Sequence, residues 1–201
     1  SLRGFTILSP YSVQEVEAML AYAFSLDEPS LIRYPKASCI SETTRFHPLE
    51  QGRGSFIREN SEEVLIITTG GLAQEAVEAS NTLSPIGVQV DVYNLRFIKP
   101  LDVLALFRVM SRYKRVVLIE DGVVSGGIGE HIAAEVQAHG VKMQFSYRGV
   151  PELFDARGTR EELLVTCGLD RESIVALILE TNPPKRYFHL VHPVSVDTTF
   201  Q

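Results

Sequence analysis

RVVLIEDGVVSGGIGEHIAAEVQA, residues 115–138, is the stretch that decides the fold. It opens with four apolar residues, Val116 to Ile119, a run that is typical of a strand buried on both faces. Two acids, Glu120 and Asp121, end that run, and a glycine-rich loop over 122–129 follows. Apolar residues then recur at helical spacing. Strand, glycine loop and helix form the unit of a parallel α/β sheet, in which functional loops lie at the carboxyl ends of strands.

The glycine loop is open to three nucleotide-binding interpretations, and each of them fails on a residue. Gly127-Ile128-Gly129 begins a dinucleotide fingerprint, but Ile132 stands where a small residue should pack, and no acid closes the next strand. A P-loop would need Gly-Lys-Ser or Gly-Lys-Thr, which the sequence lacks. Glu120-Asp121-Gly122 is similar to the Gly-Asp-Gly of diphosphate–magnesium sites, but Glu replaces the first Gly and no Asn follows at the usual distance. We therefore interpret the loop as a tight turn that needs small residues and positive φ.

Bulk composition places the chain among ordinary globular proteins. It has 201 residues, 45% hydrophobic and 22% charged, which is enough for one large domain or one and a half small ones. A net charge of -6 argues against a nucleic-acid or anionic-membrane partner. No apolar run reaches the ~18 residues that a membrane span needs. Cys39 and Cys167 fit no metal pattern and are interpreted as free thiols in a reducing compartment.

The chain before residue 63 divides into two parts. Residues 4–36 have the pattern of strand, helix and strand, with Ser12 and Glu15 as a capping box and Pro35 after the second strand. Because one β-α-β unit cannot bury both faces of its own sheet, we expect residues 1–36 to be the end of a domain whose remainder is missing. Residues 37–62 are polar and rich in turn formers, which predicts a linker with a short edge strand inside it.

From residue 63 onward, predicted strands and helices alternate. The strands are expected over 64–69, 87–93, 116–119 and 141–147, and the helices over 72–83, 101–113, 130–137, after Thr159 and over 171–179. The predicted fold class is α/β: a mainly parallel twisted sheet with helices on both faces over 63–181, preceded by the last β-α-β unit of a second α/β domain. The tail, 182–201, is too apolar for free disorder and is expected to pack along the domain or a partner subunit.

Three runs resemble the carboxyl-terminal third of the 1-deoxy-D-xylulose-5-phosphate synthase family, and the resemblance covers roughly residues 4–180. They are Arg33-Tyr34-Pro35-Lys36, Asn94-Leu95-Arg96-Phe97-Ile98-Lys99-Pro100-Leu101-Asp102, and Gly158-Thr159-Arg160-Glu161-Glu162-Leu163-Leu164 with Gly168-Leu169-Asp170. The loop from Glu120 to Gly129 is similar to that family's Glu-Glu-x-x-x-x-Gly-Gly-x-Gly, with Asp121 where the second Glu is common. Transketolases and the β subunits of 2-oxo-acid dehydrogenases share the fold but are less similar in these runs.

The resemblance implies a cytoplasmic, homodimeric transferase that uses thiamine diphosphate and magnesium. Such an enzyme joins pyruvate, after loss of carbon dioxide, to glyceraldehyde 3-phosphate, and its product feeds isoprenoid, thiamine and pyridoxal synthesis. It also implies that the cofactor and metal residues precede Ser1 in missing amino-terminal domains. We therefore expect no catalytic, cofactor-binding or metal residue here, and an isolated chain that is inactive. The chain would hold the end of a pyrimidine-binding domain, a linker, and a carboxyl-terminal domain that builds the dimer.

One substrate-binding residue is implied by the resemblance: Arg33, which matches the family's ligand for the phosphate of the acceptor aldehyde. A guanidinium at the carboxyl end of a strand offers a planar fork to phosphate. The alternative is a surface arginine in an ion pair. Lys36 stands where the family often has a second Arg.

Other chemistry-bearing residues are given structural roles. Asp91 and Asp102 are interpreted as pairing and capping acids, and Glu120 and Asp121 as interface residues, although they are the best acid candidates. The five histidines have no Cys or acid neighbours at ligand spacing; they are His47, His131, His139, His189 and His192. Two other functions stay open: the carboxyl-terminal section of a transketolase or 2-oxo-acid dehydrogenase, and a non-catalytic nucleotide-binding or interaction module.

Overall fold

A computed structural model describes residues 4–34, 46–141, 143–152 and 156–179. The strands are β1 (Thr6–Ser9), β2 (Ser30–Ile32), β3 (Ser55–Arg58), β4 (Val64–Thr68), β5 (Val90–Asn94), β6 (Arg96–Lys99), β7 (Arg115–Val123) and β8 (Gln144–Val150). The helices are α1 (Val13–Phe24), α2 (Ala73–Leu83), α3 (Val103–Met110), α4 (Ile128–Ala138), α5 (Arg160–Cys167) and α6 (Arg171–Leu179), with a 3-10 turn at Ser84–Ile86. The strands form a three-stranded sheet, β2-β1-β6, and a five-stranded sheet, β3-β5-β4-β7-β8.

The five-stranded sheet is mainly parallel, as predicted. β4 runs parallel to both β5 and β7, and β7 runs parallel to β8, while β3 is an antiparallel edge strand. Helices α3 and α4 cover one face with Leu106, Phe107 and Ile132 in the core, and α2 and α6 cover the other. The predicted α/β class, with helices on both faces, is confirmed.

Strand β7 shows why its apolar run is continuous. Val116 and Leu118 pack toward α3 and α4, whereas Val117 and Ile119 pack toward α2 and α6, so neither face of the strand tolerates a polar residue. The prediction that the acids end this strand was wrong. β7 continues to Val123, because pairing with β8 resumes after a register shift beyond Ile119.

The first β-α-β unit is present as predicted, but the capping box predicted for its helix is incomplete. β1 and β2 are parallel, and Ser12 caps α1 by accepting from the Glu15 backbone N–H at 3.2 Å. In α1, Met19 is fully buried, whereas Val13 and Leu20 are each 45% exposed. The expected capping box is only half formed, because the Glu15 side chain accepts from the Tyr11 N–H instead of that of Ser12.

Strand β6 joins the two sheets and was not predicted as a strand. Its residues follow β5 directly, yet it pairs antiparallel with β1. β3, by contrast, is the short edge strand that was expected inside 37–62. The domain limits at 36, 62 and 181 stay a prediction. Lys36, Cys39 and the tail 182–201 lie outside the described residues.

Several predicted boundaries shift by a few residues for local reasons. Helix α3 begins at Val103, with Asp102 as its N-cap: the Asp102 carboxylate accepts from the Ala105 N–H at 2.9 Å. β8 lies about three residues later than expected, over Gln144–Val150. The capping box at Thr159 and Glu162 is confirmed. Within the described part of the chain, no helix is long and apolar enough to cross a membrane.

Candidate functional site

The candidate site lies at the carboxyl ends of β4 and β7. β5 and β7 pair with β4 on opposite sides, so the order of strands in the sheet reverses at β4. Open α/β sheets bind ligands at such a switch point, outside the carboxyl ends of the strands. The turn after β4 is Thr69-Gly70-Gly71, which faces the acids of β7. The end of β1 lies against this turn: a Cβ on Gly70 would collide with the Pro10 carbonyl oxygen. Three segments that are distant in sequence therefore meet here.

Arg33 reaches this edge from the end of β2 and pairs with Asp121. Its Nη2 donates to Asp121 Oδ1 at 2.9 Å, and the side chains are 33% and 32% exposed. The same carboxylate oxygen accepts from the Thr69 hydroxyl at 2.9 Å, and that hydroxyl accepts from the Asp121 N–H at 3.4 Å. Arg33 is thus in an ion pair, as the alternative interpretation held. Its phosphate-binding role stays a prediction.

Part of the Arg33 guanidinium makes no hydrogen bond to another described residue. Among the described residues, Asp121 accounts for all of its side-chain hydrogen bonds, so Nε and Nη1 are uncommitted. A guanidinium has five N–H donors in a fixed fork, and one carboxylate oxygen occupies only one edge of it. A phosphate that approached from solvent would meet a cation that is already oriented.

Glu120 is buried behind this ion pair and caps helix α4. It is 2% exposed, and its carboxylate accepts from the backbone N–H groups of Ile128 at 3.0 Å and Gly129 at 3.1 Å. Burial raises the pKa of Glu120, and the two N–H donors partly oppose that rise. The acid supplies a negative charge at a helix N-terminus, where the helix dipole favours it.

The glycines of the central loop make room for this buried carboxylate. A Cβ on Gly127 or Gly129 would collide with the Glu120 carboxylate, and one on Gly149 would come within 2.9 Å of Glu120 Cγ. Positive φ is needed only at Gly126, where φ is 74°. The need for small residues is therefore as predicted, but the reason is an internal acid. A nucleotide phosphate at the α4 N-terminus would have to displace Glu120.

A second polar cluster lies deeper, around Glu15, and the sequence did not reveal it. Glu15 is fully buried, makes an ion pair with the Nε of Arg96, and accepts from Asn94 Nδ2 at 3.0 Å. The Asn94 amide also donates to the Ser9 carbonyl at 3.0 Å and accepts from the Gly70 N–H at 2.8 Å. Burial raises the pKa of Glu15, and the charge of Arg96 opposes this. Arg96 has φ of 58°, and this unusual backbone turns it toward α1.

The other candidate acids make hydrogen bonds within the fold, and the histidines among the described residues are exposed. Asp91 is buried and accepts from Asn60 N–H at 2.8 Å and from the Tyr113 hydroxyl at 2.7 Å, which agrees with the pairing role predicted for it. The Ala105 N–H lowers the pKa of Asp102. His47 and His131 are exposed, and His189 and His192 lie outside the described residues. Within 4–34, 46–141, 143–152 and 156–179, no group of three or more His, Cys, Asp or Glu residues could hold a metal ion.

Helix α5 connects the Gly-Thr-Arg-Glu-Glu run to the same site. Arg160 donates to Glu75 Oε1 and to the carbonyl oxygen of Gly71, both at 2.7 Å. A cavity of about 340 Å³ lies between α5 and the sheet edge, with Asp121, Arg160 and Cys167 in its largely apolar wall. Arg160 thus contacts the turn after β4 through the Gly71 carbonyl.

A family model described as "Transketolase, C-terminal domain" matches residues 52–174. This chain belongs to the transketolase C-terminal domain family. Members of this family with curated names are similar to it over most of its length. The 1-deoxy-D-xylulose-5-phosphate synthase of Treponema pallidum (strain Nichols) is 37% identical over 175 residues, 86% of this chain and 28% of that protein. The synthase of Chlorobium luteolum is 33% identical over 180 residues, 88% of this chain and 28% of that protein.

Two solved transketolases share the fold. A split-gene transketolase, solved as an inactive β4 tetramer, gives a TM-score of 0.75 at 24% identity and covers 89% of this chain and 58% of its own. A transketolase from Campylobacter jejuni gives 0.64 at 17% identity and covers 88% of this chain and 26% of its own. At these identities the likeness shows the fold alone. The chain spans about 28% of the length of the curated synthases that it matches.

Proposed function

We propose that this transketolase C-terminal domain chain is the carboxyl-terminal part of a 1-deoxy-D-xylulose-5-phosphate synthase. The whole enzyme would condense pyruvate with glyceraldehyde 3-phosphate, release carbon dioxide, and supply isoprenoid and thiamine synthesis in the cytoplasm. The observation that carries the proposal is the 37% identity to a synthase over 86% of the chain. Arg33 adds a chemical reason, since it stands at the end of β2 and only one of its nitrogens bonds to another described residue.

The thiamine diphosphate and magnesium of that reaction are assigned to amino-terminal domains outside this chain. The described residues do not fit the pair: Glu120, at the position most similar to a diphosphate–magnesium motif, is committed to the α4 N-terminus. The cofactor would supply the activated two-carbon unit from pyruvate. The role left to this chain is assembly of a homodimer and one contact to the acceptor substrate.

Arg33 would bind the phosphate of glyceraldehyde 3-phosphate. A guanidinium forms charged hydrogen bonds, and each is worth roughly 1.5–3 kcal/mol. The aldehyde carbon would then be held at a fixed distance from the phosphate anchor, which favours productive orientation. Asp121 neutralises part of the arginine's charge without occupying its remaining edge.

The test uses the complete enzyme and two aldehydes. Arg33→Ala should lower kcat/KM for glyceraldehyde 3-phosphate by about 10- to 150-fold, while unphosphorylated glyceraldehyde is scarcely affected. Arg33→Lys is the matched variant: it keeps the charge and loses the fork, so it should recover only part of the loss. Equal losses with both aldehydes would withdraw the assignment.

Two further measurements separate this function from the alternatives. The complete enzyme should release carbon dioxide from pyruvate when the acceptor is present, whereas a transketolase would need a ketose phosphate as donor. The isolated chain should not bind thiamine diphosphate in a calorimetric titration. Micromolar affinity there would place the cofactor site in this chain and contradict the division of roles.

A further inference from the structure

We propose that Asp121 is a positioning residue for acceptor recognition, and that its hydrogen bond with Thr69 fixes the Arg33 guanidinium in the orientation that receives phosphate. This inference rests on the proposed function of Arg33. It adds that selectivity for phosphorylated acceptors depends on an acid that does not itself contact the ligand.

Asp121, the residue that orients Arg33, is itself held by contacts on two sides. Thr69 is fully buried, and its hydroxyl donates to Asp121 Oδ1 at 2.9 Å while accepting from the Asp121 backbone N–H. A side chain on Gly71 would collide with Asp121 Oδ2, so the second carboxylate oxygen lies directly against the backbone of that turn. The carboxylate therefore has little freedom to follow Arg33 if the arginine moves.

The backbone of Thr69 is held in turn by the first β-α-β unit. Its carbonyl accepts from the Ser9 hydroxyl at 2.9 Å and from the Gly71 N–H at 2.6 Å. Ser9 lies at the end of β1, whose neighbour β2 ends beside Arg33, and the Arg33 N–H donates to the Leu8 carbonyl at 2.8 Å. The backbone of Arg33 and the partner of its side chain thus belong to one connected network.

Charge and orientation predict opposite effects for the loss of Asp121. If only charge mattered, removing a carboxylate next to the anion site would strengthen phosphate binding, because a repulsion would disappear. If orientation matters, the same change frees the guanidinium to sample other rotamers, and phosphate binding weakens. The contacts of Asp121 with Thr69 and Gly71 favour the second outcome, weaker phosphate binding. Asn can still accept through its amide oxygen, so it removes the charge while keeping an acceptor at that position.

The experiment measures kcat and KM of the complete enzyme with glyceraldehyde 3-phosphate and with glyceraldehyde. Asp121→Ala should raise KM for the phosphorylated aldehyde by about 10-fold, the scale at which loss of an orienting partner weakens ligand sites, with kcat little changed. Asp121→Asn should retain most of the affinity. Thr69→Val, which keeps the shape and removes the hydroxyl, should show a smaller increase of the same kind. None of these variants should alter the KM for glyceraldehyde.

A double-mutant cycle separates this inference from the proposed function. In the Arg33→Ala background, Asp121→Ala should cause no further loss of phosphate selectivity, because the residue through which it acts is gone. If Arg33→Ala shows no phosphate-selective loss, the assignment of Arg33 fails and the positioning role fails with it. If Arg33→Ala is selective but Asp121→Ala lowers KM, or weakens both aldehydes equally, only the positioning role is overturned. Thr69→Val provides the same comparison should Asp121→Ala fail to fold.

Discussion

Among the residues that the structure describes, two ion pairs connect the first β-α-β unit to the rest of the chain, and they differ sharply in solvent exposure. Glu15 and Arg96 are 0% and 2% exposed, whereas Arg33 and Asp121 are 33% and 32% exposed. The buried Glu15 carboxylate accepts from three donors: the Tyr11 N–H, Asn94 Nδ2 and Arg96 Nε. The outer pair leaves two arginine nitrogens uncommitted among the described residues.

This difference in exposure indicates that the Glu15–Arg96 pair stabilises the fold, whereas the Arg33–Asp121 pair remains accessible to a ligand. A buried charge whose partner is removed is strongly destabilising, because the remaining ion cannot recover its hydration. A partly exposed pair is screened by water and contributes little to stability. We therefore expect mutations to divide cleanly: changes at the inner pair should alter folding, and changes at the outer pair should alter substrate recognition.

The largest effect is expected at Glu15. Glu15→Ala should lower the free energy of unfolding by about 3–5 kcal/mol, because it leaves Arg96 buried without its counter-charge. Urea unfolding followed by circular dichroism measures this. Glu17→Ala is the matched control on the same helix, since Glu17 is exposed, and it should change stability by under about 0.5 kcal/mol. Equal losses of unfolding free energy for the two variants would mean that water hydrates the Arg96 guanidinium once Glu15 is removed.

The next effect is expected at the acid beneath the outer pair. Glu120→Ala should cost about 1–3 kcal/mol, because two buried N–H donors at the start of α4 lose their acceptor. Glu130→Ala is the comparison: its carboxylate accepts from the Gly126 N–H at 2.6 Å in an exposed position, where water can replace it. If Glu130→Ala costs as much as Glu120→Ala, burial is not what makes the cap important.

The pH dependence of stability follows from the raised pKa of Glu120. An acid whose pKa is higher in the folded state binds its proton more tightly there, so the contribution of Glu120 to stability is larger at low pH. Its contribution is greatest below its ordinary value of 4.5 and is lost as the pH rises through the raised pKa. Relative to Glu120→Gln, which does not titrate, the natural chain should therefore lose stability across that window. Urea midpoints for both proteins at a series of pH values check this, and parallel curves would contradict it.

The smallest effect on folding is expected at Arg33. Arg33→Ala should change the free energy of unfolding by under about 1 kcal/mol, because its pair with Asp121 is about one-third exposed. The same variant should show a large and selective loss with the phosphorylated acceptor. Arg96→Ala is the opposite case, with a loss of stability comparable to that of Glu15→Ala. A cost for Arg33→Ala near that of Arg96→Ala would remove the distinction between the two pairs.

The sequence was sufficient for the elements that depend on local physics. The buried run Val116 to Ile119, the cap at Thr159 and the end of β2 before Pro35 were all predicted, because hydrophobic period, capping chemistry and proline act within a few residues. The mainly parallel sheet followed from alternating strands and helices. The place of Arg33 at the end of a strand could likewise be predicted, as could the short edge strand at Ser55–Arg58.

Only the tertiary structure decided how these elements meet. β6 pairs with β1 across nearly 90 residues, Asp121 lies 88 residues from Arg33, and Arg96 lies 81 from Glu15. Local pattern assigned Glu15 to a capping box and Glu120 to a strand end, because such rules describe neighbours along the chain. Glu15 is instead a buried charge whose partners Asn94 and Arg96 lie 79 and 81 residues away. Glu120 accepts from N–H groups only 8 and 9 residues on, but the chain must first fold back from β7 into α4 to bring them close. In both cases a carboxylate without water needs donors that folding supplies.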